Sequence, residues 1–165
     1  MIQDEQVIRY IPPVRHQGEV RFYHEMERQR ICTETRCLGM RNGVLTQILD
    51  FYDCVVIESF GVGGLPDSIT KEVYEGMKKW KEEGKLIVMT TQVVSEGSNM
   101  TVYEVGKKVK QDFDLLEAYD MTLEATITKL MWLMAQPSNS YEEIKNRFYT
   151  MINHDILFAG FREEK

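Results

Sequence analysis

Apolar residues show two different patterns along the middle of the chain. The run Cys54–Ile57 is apolar and β-branched and lies between Asp53 and a group of glycines, so it predicts a buried strand. The run Asp67–Glu83 repeats apolar residues at helical spacing and carries lysines and glutamates on its other face, which predicts an amphipathic helix. The apolar residues of this helix are Ile69, Val73, Tyr74, Met77 and Trp80. A second apolar run, Leu86–Met89, predicts another strand.

The ends of the predicted helix carry recognisable signals. Asp67 or Ser68 is expected to cap its start, and Gly84 is expected to end it. A strand, a helix and a second strand joined by short connections form a right-handed crossover between parallel strands. The sequence therefore predicts a parallel sheet.

The alternation of elements continues downstream. Val102–Lys110 predicts a short helix, Phe113–Leu116 a short strand and Thr122–Gln136 a longer helix. The stretch Ser140-Tyr-Glu-Glu143 has the spacing of a capping box and opens a last helix that reaches about Met151. The apolar side of the longer helix is formed by Ile127, Leu130, Met131 and Met134. This order predicts an α/β fold: a small open parallel sheet of about four strands with helices on both faces.

The first thirty residues lack this order. Pro12-Pro13 excludes a helix or a central strand, and the polar stretch that follows has no sustained period. We interpret residues 1–30 as a linker or arm from an absent upstream domain, and residues 31–165 as the α/β domain.

Composition narrows the function classes. The chain has 165 residues and a net charge of −6, which argues against nucleic acid as a partner, because binding phosphates needs a basic face. No apolar run is long enough for a membrane span, and the N-terminus lacks the pattern of a signal peptide. Three cysteines without a CxxC motif are typical of reduced thiols, which favours a cytoplasmic location. No cluster of residues has metal-ligand spacing, so neither a metal nor a cofactor is expected.

Three glycines follow the first predicted strand directly. The dinucleotide fingerprint G-x-G-x-x-G fails because its last position is Pro66, and no Gly-Lys-Ser/Thr follows, so a phosphate loop is not expected. Two interpretations stay open. The turn lies at the carboxyl end of a parallel strand, where α/β sheets place ligands, and glycine permits close backbone approach. Alternatively, the turn is only a tight connection from strand to helix.

Polar residues also follow the other predicted strands. After Leu86–Met89 come Thr90, Thr91, Gln92, Ser95 and Asn99, which could contact a ligand or could bond to their own loop. After the third strand come Asp120 and Thr122, for which helix capping is the favoured role. Three strands thus end in polar or glycine-rich turns on one edge of the predicted sheet.

Three segments, taken together and in order, resemble the C-terminal domain of L-asparaginases, especially the bacterial cytosolic type. They are VVIESFGVGGLPDS, GKLIVMTTQVVSEGSNMTVYEVG and LLEAYDMTLEATITKLMWLMAQ. The resemblance covers about residues 44–136 and implies a three-layer domain of Rossmann or flavodoxin type. It also implies that the catalytic threonines, with an aspartate and a lysine, belong to an N-terminal domain that carries T-G-G-T and T-D-G motifs. Neither motif occurs in this chain.

The resemblance also suggests site residues and partners. In the family, this domain packs against the N-terminal domain of a neighbouring subunit, and its loops help to close the active site there. We therefore expect a homodimer or higher oligomer, with L-asparagine or L-aspartate as a possible ligand. The residues that match these site-closing, substrate-binding loops are Gly61, Gly63, Gly64, Thr91, Gln92 and Asn99. For the glycine turn, the resemblance favours close backbone approach.

Some positions depart from the family pattern. Gly64 replaces an asparagine that many relatives use to complete the neighbouring site. Glu58 and Val93 stand where some cytosolic relatives carry the arginine and cysteine of an effector site, so effector control of that kind is not expected. Glu34 and Arg36 place charges in a first strand that should be buried, so this strand lies at an edge, has diverged, or is misaligned.

Two functions from different classes follow. The chain is either the C-terminal domain of an asparaginase-type amidohydrolase that is inactive alone, or a stand-alone amino-acid-binding or dimerisation module that has lost catalysis. No catalytic residue is expected on this chain, because no serine or threonine lies in a G-x-S-x-G or comparable oxyanion motif.

Overall fold

The computed structural model describes residues 2–3, 6–7, 18–23, 25–26, 30–35, 43–93, 96–137 and 140–157. Of residues 2–3, 6–7, 32–35, 68 and 69 it describes the backbone alone. The expectations for Arg36 and Ser95 and for the side chains of Glu34, Ser68 and Ile69 therefore lie outside the described residues.

A four-stranded parallel sheet forms the centre of the fold, in the spatial order of the sequence. Its strands are β3 (Ile31–Thr35), β4 (Cys54–Ser59), β5 (Leu86–Thr91) and β6 (Leu116–Glu117). Two very short strands near the N-terminus, β1 (Ile2–Gln3) and β2 (Gln6–Val7), pair separately in antiparallel fashion. The predicted parallel sheet is confirmed, and β3, which carries Glu34, is an edge strand.

Helices cover both faces of the sheet, as predicted. They are α1 (Val44–Phe51), α2 (Asp67–Glu82), α3 (Glu104–Phe113), α4 (Leu123–Met134) and α5 (Tyr141–Phe148), and a 3-10 helix spans Met100–Val102. Consecutive right-handed crossovers in one direction put their helices on the same face. Accordingly, α1, α2 and α3 share one apolar core with one face of the sheet, and α4 and α5 share a second core with the other face.

The helix α2 shows how the sequence pattern becomes packing. Val73, Met77 and Trp80 are buried between the helix and the sheet, and Trp80 is only 3% exposed. Tyr74, one residue away from this stripe, is 40% exposed and donates a hydrogen bond to Asp112 Oδ2 at 2.6 Å. Its ring packs edge-on against Phe113.

Some details of the predicted elements were wrong, including the helix predicted over Val102–Lys110, which spans Glu104–Phe113 because Val102 belongs to the 3-10 helix. The capping position of α2 is occupied by Pro66, whereas Asp67 and Ser68 already belong to the helix backbone. The strand predicted over Phe113–Leu116 spans Leu116–Glu117, because Phe113 still belongs to α3 and Asp114 ends that helix with φ 53°. The helix α1 was not predicted at all.

The capping box of the last helix is confirmed. Ser140 accepts a hydrogen bond from Glu143 N, and the Glu143 carboxylate accepts one from Ser140 N. This helix ends at Phe148, three residues earlier than predicted. Gly84 follows the end of α2 with φ 72°, as expected for a residue that ends a helix.

Candidate functional site

The carboxyl ends of three strands meet at one edge of the sheet. Ser59, the last residue of β4, lies beside Thr91, the last residue of β5, and Glu117 of β6 pairs with Met89. The glycine turn, the loop after Thr91 and the loop after Glu117 are therefore neighbours in space, which confirms the predicted clustering. Among the described residues, none of the helices combines the length and apolar character that crossing a membrane requires.

The glycine turn is a tight reversal. Phe60 and Gly64 form an isolated antiparallel bridge, and Phe60 O accepts hydrogen bonds from Gly63 N at 3.1 Å and Gly64 N at 2.8 Å. Gly61 adopts φ 49°, and its carbonyl accepts a hydrogen bond from Thr91 Oγ1. The side chain of Thr91 thus fastens the turn after β4 to the end of β5.

Close backbone approach at this turn occurs within the chain itself. A Cβ atom at Gly63 would lie 2.7 Å from Met100 Cα and 2.9 Å from Asn99 O, and the φ of Gly63 is 156°. Asn99 N also donates a hydrogen bond to Val62 O. Gly63 is therefore required by the packing of the turn against the 3-10 helix.

Asn99 has a local structural role. Its Oδ1 accepts hydrogen bonds from Thr101 N at 3.1 Å and from Thr101 Oγ1 at 2.5 Å, so Asn99 caps the 3-10 helix. Thr90 is buried in β5, and its carbonyl accepts a hydrogen bond from Ser59 Oγ at 2.7 Å. These groups hold the edge of the sheet together.

A surface pocket of about 310 Å³ lies at the same edge. The loop after β5 leads to α3 on one face of the sheet, and the loop after β6 leads to α4 on the other face. The two loops therefore diverge, and the pocket lies between them. Its lining consists of Glu58, Thr91, Gln92, Val93, Gly97 and residues 119–124. Of the six predicted site residues, the pocket lining includes Thr91 and Gln92, whereas Gly61, Gly63, Gly64 and Asn99 lie outside it.

Carboxylates dominate the charge of this pocket. Glu58, Asp120 and Glu124 all line it, and none of the lining residues that the structure describes is a lysine or arginine. Such a lining favours the cationic part of a ligand. Asp120 accepts hydrogen bonds from Leu157 N at 3.2 and 3.1 Å, and Thr122 Oγ1 caps α4 by accepting one from Ala125 N at 3.2 Å. The predicted capping role is thus confirmed for Thr122.

Sequence reasoning did not select Glu58 or Glu124 as site residues. Glu58 precedes the last residue of β4, and this position at a strand end was the available signal. Glu58 and Val93, the two positions at which effector control was not expected, both line the pocket.

The hydroxyl groups at this edge bond to the backbone. Thr91 Oγ1 donates to Gly61 O and accepts from Val93 N at 3.1 Å, and Ser59 Oγ donates to Thr90 O. An activated nucleophile needs a base within hydrogen-bond reach, and these hydroxyls have backbone partners instead. In the part of the chain that the structure describes, no three histidine, cysteine, aspartate or glutamate side chains gather as metal ligands.

A buried polar network lies beneath the pocket. Lys110 Nζ contacts Glu117 Oε2 at 3.0 Å and donates a hydrogen bond to Tyr119 Oη at 2.9 Å. Burial lowers the pKa of Lys110, but the hydrogen bond to Tyr119 and the charge of Glu117 outweigh it, so the pKa lies above its ordinary value. Burial raises the pKa of Tyr149, whose hydroxyl accepts a hydrogen bond from Glu117 N at 3.0 Å.

Comparison with known proteins identifies the family. The family model of the glutaminase/asparaginase C-terminal domain matches residues 33–148. The chain belongs to this family. The matched range includes all four strands of the parallel sheet except the first residues of β3, and it includes the whole pocket lining.

Asparaginases are also found among its relatives and structural neighbours. The L-asparaginase of Thermococcus kodakarensis is 33% identical over 142 residues, which are 86% of this chain and 42% of the relative. The solved structure of the thermostable L-asparaginase from that organism superposes with a TM-score of 0.76 and 30% identity, covering 94% of this chain and 46% of the other. L-asparaginase I from Vibrio cholerae superposes with a TM-score of 0.64, 26% identity and coverage of 78% and 37%.

A second group of relatives belongs to a different enzyme, glutamyl-tRNA(Gln) amidotransferase. The matching component of this enzyme from Pyrococcus abyssi is 30% identical over 113 residues, which are 66% of this chain and 24% of that protein. The chain therefore spans less than half the length of these curated relatives.

Proposed function

We propose that this domain forms part of an amidohydrolase that converts L-asparagine to L-aspartate and ammonia. An N-terminal domain outside these 165 residues supplies the nucleophilic threonine. The match to the asparaginase C-terminal domain, together with the T. kodakarensis relative, carries this proposal. The backbone-bonded hydroxyls at the carboxyl edge support it, because they leave the chemistry to another domain.

In this proposal, the carboxyl edge of the sheet is the wall of a composite active site. Thr91 and Gln92 face the pocket and contact substrate or the neighbouring loops, and the turn Gly61–Gly64 supports them from beneath. Tyr103 lies next to this turn, and the exposed apolar residues Val102, Tyr103 and Val105 are covered by the N-terminal domain of a neighbouring subunit. The protein is therefore proposed to be a cytoplasmic homodimer or higher oligomer.

The experiment combines the chain with the N-terminal half of the T. kodakarensis asparaginase and measures ammonia release from L-asparagine. We expect activity from the mixture and none from either half. A Thr91→Val variant should lower the activity of the mixture, because it releases the glycine turn. Thr128→Val, whose hydroxyl bonds to Glu124 O on the exposed side of α4, is the matched control. A folded, associated pair of halves that releases no ammonia contradicts the proposal.

A stand-alone binding module is the second candidate, favoured by the acidic pocket that this chain forms without a partner. Titration calorimetry of the chain with L-asparagine or L-aspartate tests it. If the chain is a binding module, at least one of the two amino acids should give a measurable heat of binding. The Glu58→Gln variant should then change the affinity for that amino acid. Absence of binding, together with a monomer by size-exclusion chromatography, removes this candidate.

The amidotransferase relatives give a third test of substrate class. If the domain serves a tRNA-dependent amidotransferase, the assembled enzyme should supply ammonia to glutamyl-tRNA in the presence of the remaining components of that enzyme. If it serves an asparaginase, ammonia release from free L-asparagine should need no tRNA. Comparing the two reactions with the same preparation distinguishes these functions.

A further inference from the structure

Glu117 is a carboxylate in the middle of an apolar core. It is 0% exposed and belongs to the two-residue strand β6. Successive side chains of a strand point to opposite faces, and Leu116 belongs to the core under α4 and α5. Glu117 therefore points to the other face, where Met100, Val109 and Leu115 are buried.

Each oxygen of this carboxylate has a defined contact. Oε1 accepts a hydrogen bond from Met100 N at 2.7 Å, and Oε2 contacts Lys110 Nζ at 3.0 Å. Lys110 in turn donates a hydrogen bond to Tyr119 Oη at 2.9 Å. The pair thus joins β6 and α3 to the backbone of the 3-10 helix.

The backbone that Glu117 binds is the same backbone that packs on the glycine turn. Met100 Cα lies opposite Gly63, and Met100 O would be 2.7 Å from a Cβ atom at Gly106. Asn99 N donates a hydrogen bond to Val62 O. A shift of Met100 would therefore move the turn, the start of α3 and the exposed residue Tyr103 together.

Stability alone is a poor reason for a buried ion pair. Desolvation opposes the attraction, and an apolar pair of similar volume often gives equal or greater stability. A carboxylate differs from an apolar side chain because it accepts a backbone hydrogen bond at one defined point, and a buried N–H group requires such an acceptor. An apolar pair could therefore replace the packing of Lys110 and Glu117, but it could not hold the backbone of Met100 in place.

We propose that the pair Lys110–Glu117 is a positioning device that fixes residues 98–103 against the glycine turn and so sets the shape of the carboxyl edge. We further infer that Lys110 and Glu117 act, through Met100, on the surface that meets the N-terminal domain. This effect on the active site rests on the proposed function. The fixed position of residues 98–103 is independent of it.

The test uses the double variant Lys110→Met/Glu117→Leu and amide hydrogen exchange of the isolated chain by NMR. We expect exchange at Met100 and Asn99 to become roughly ten- to a hundredfold faster, as for the loss of a hydrogen bond to a charged acceptor. The midpoint of urea unfolding should fall only modestly, because the ion pair no longer has to be desolvated and this offsets part of the loss of the hydrogen bonds that Met100 N and Lys110 Nζ donate. This separation of local position from stability is not expected of a merely structural pair.

Two further variants complete the test. Lys129→Met removes a comparable buried ion pair with Asp155 on the other face of the sheet and should leave exchange at Met100 unchanged. Glu117→Gln keeps an acceptor for Met100 N and should give slower exchange than the double variant. If the double variant does not fold, faster exchange at Met100 in Glu117→Gln than in Lys129→Met still supports the proposal, and equal rates overturn it.

A functional measurement links the device to the active site. In the mixture with the asparaginase N-terminal half, the double variant should lower kcat more than Lys129→Met does. If kcat is unchanged although exchange at Met100 is faster, the proposed effect of Lys110 and Glu117 on the active site is wrong. Lack of ammonia release by the unmodified mixture counts against the proposed function alone, because exchange is measured on the chain by itself.

Discussion

At the scale of single residues, the site depends on contacts between residues that are far apart in sequence. The glycine turn could be recognised from the sequence, and so could the polar ends of the strands that contain Thr91 and Gln92. The need for glycine at position 63 could not be recognised from the sequence. It arises because the turn packs against the backbone of Met100, which lies 37 positions later in the chain. Glu58 and Glu124 were missed because the pocket that they share forms only when α4 crosses to the second face.

Gly63 and Gly84 provide a matched pair of substitutions. Both have φ between +20° and +160°, but a Cβ atom at Gly63 would meet Met100 Cα at 2.7 Å, whereas Gly84 has open space. Gly84→Ala should destabilise by about 1–2 kcal/mol, the cost of a left-handed residue. Gly63→Ala should cost about 1–3 kcal/mol more because of overpacking. Urea unfolding measures both, and equal losses would contradict the packing argument.

Tyr74 should show a shifted titration. Its hydrogen bond to Asp112 raises the pKa of the phenol to about 12. A raised folded-state pKa means that this contribution to stability is present below the ordinary value near 10 and is lost as the pH rises through about 12. Ultraviolet titration should assign the late transition to Tyr74 by comparison with Tyr74→Phe. Asp112→Asn should lower this pKa, and an unchanged titration would contradict the assignment.

At the scale of elements, helices and strands with local signals were predicted, and those that depend on distant residues were not. The helix α1 has apolar residues at helical spacing, but Gly43 provides no side-chain cap. Its first amides are satisfied by Glu72 of α2, which accepts hydrogen bonds from Thr46 N at 3.1 Å and Leu45 N at 3.4 Å. Because the capping carboxylate belongs to another helix, the sequence around α1 contains no capping signal. By contrast, α5 carries its own capping box and was predicted.

The buried face of α2 should dominate its contribution to stability. Trp80→Ala should destabilise by about 3–5 kcal/mol, because the ring is 3% exposed and its removal leaves a cavity. Phe51→Ala is the control, since Phe51 is 71% exposed and should change stability by less than about 1 kcal/mol. Chemical denaturation of both variants measures the difference. A small loss for Trp80→Ala would place the ring outside the core.

At the scale of the whole molecule, the arrangement of layers follows from the strand order. Three crossovers in one direction fill one face, and α4 and α5 fill the other, so the sequence pattern was sufficient to predict three layers. The position of the pocket was not predicted, because it depends on where the chain changes face. Assembly into an oligomer is a proposal that follows from the family and from the exposed apolar residues.

Self-association should follow from the exposed apolar residues around Tyr103, which lies next to the glycine turn. Val102, Tyr103 and Val105 are 58%, 47% and 46% exposed. We expect the chain to associate at high concentration, and Val102→Lys should shift it towards monomer in analytical ultracentrifugation. Met151→Lys, at another exposed apolar residue, is the control for a general gain in solubility. A monodisperse monomer at all concentrations would contradict this expectation.

The ion pairs at the opposite end of the sheet anchor the residue that leads into β3. Asp53 Oδ1 lies 2.8 Å from Arg30 Nη2 and 3.5 Å from Lys85 Nζ, and Arg30 O accepts hydrogen bonds from Asp53 N and Cys54 N. Arg30 is thereby anchored at the amino end of β4, about 20 Å, the length of a six-residue strand, from the pocket. The first strand of the parallel sheet, which follows Arg30 directly, therefore begins at the end of the sheet opposite to the pocket. Under the proposed function, we expect the catalytic groups at this pocket to come from a second polypeptide.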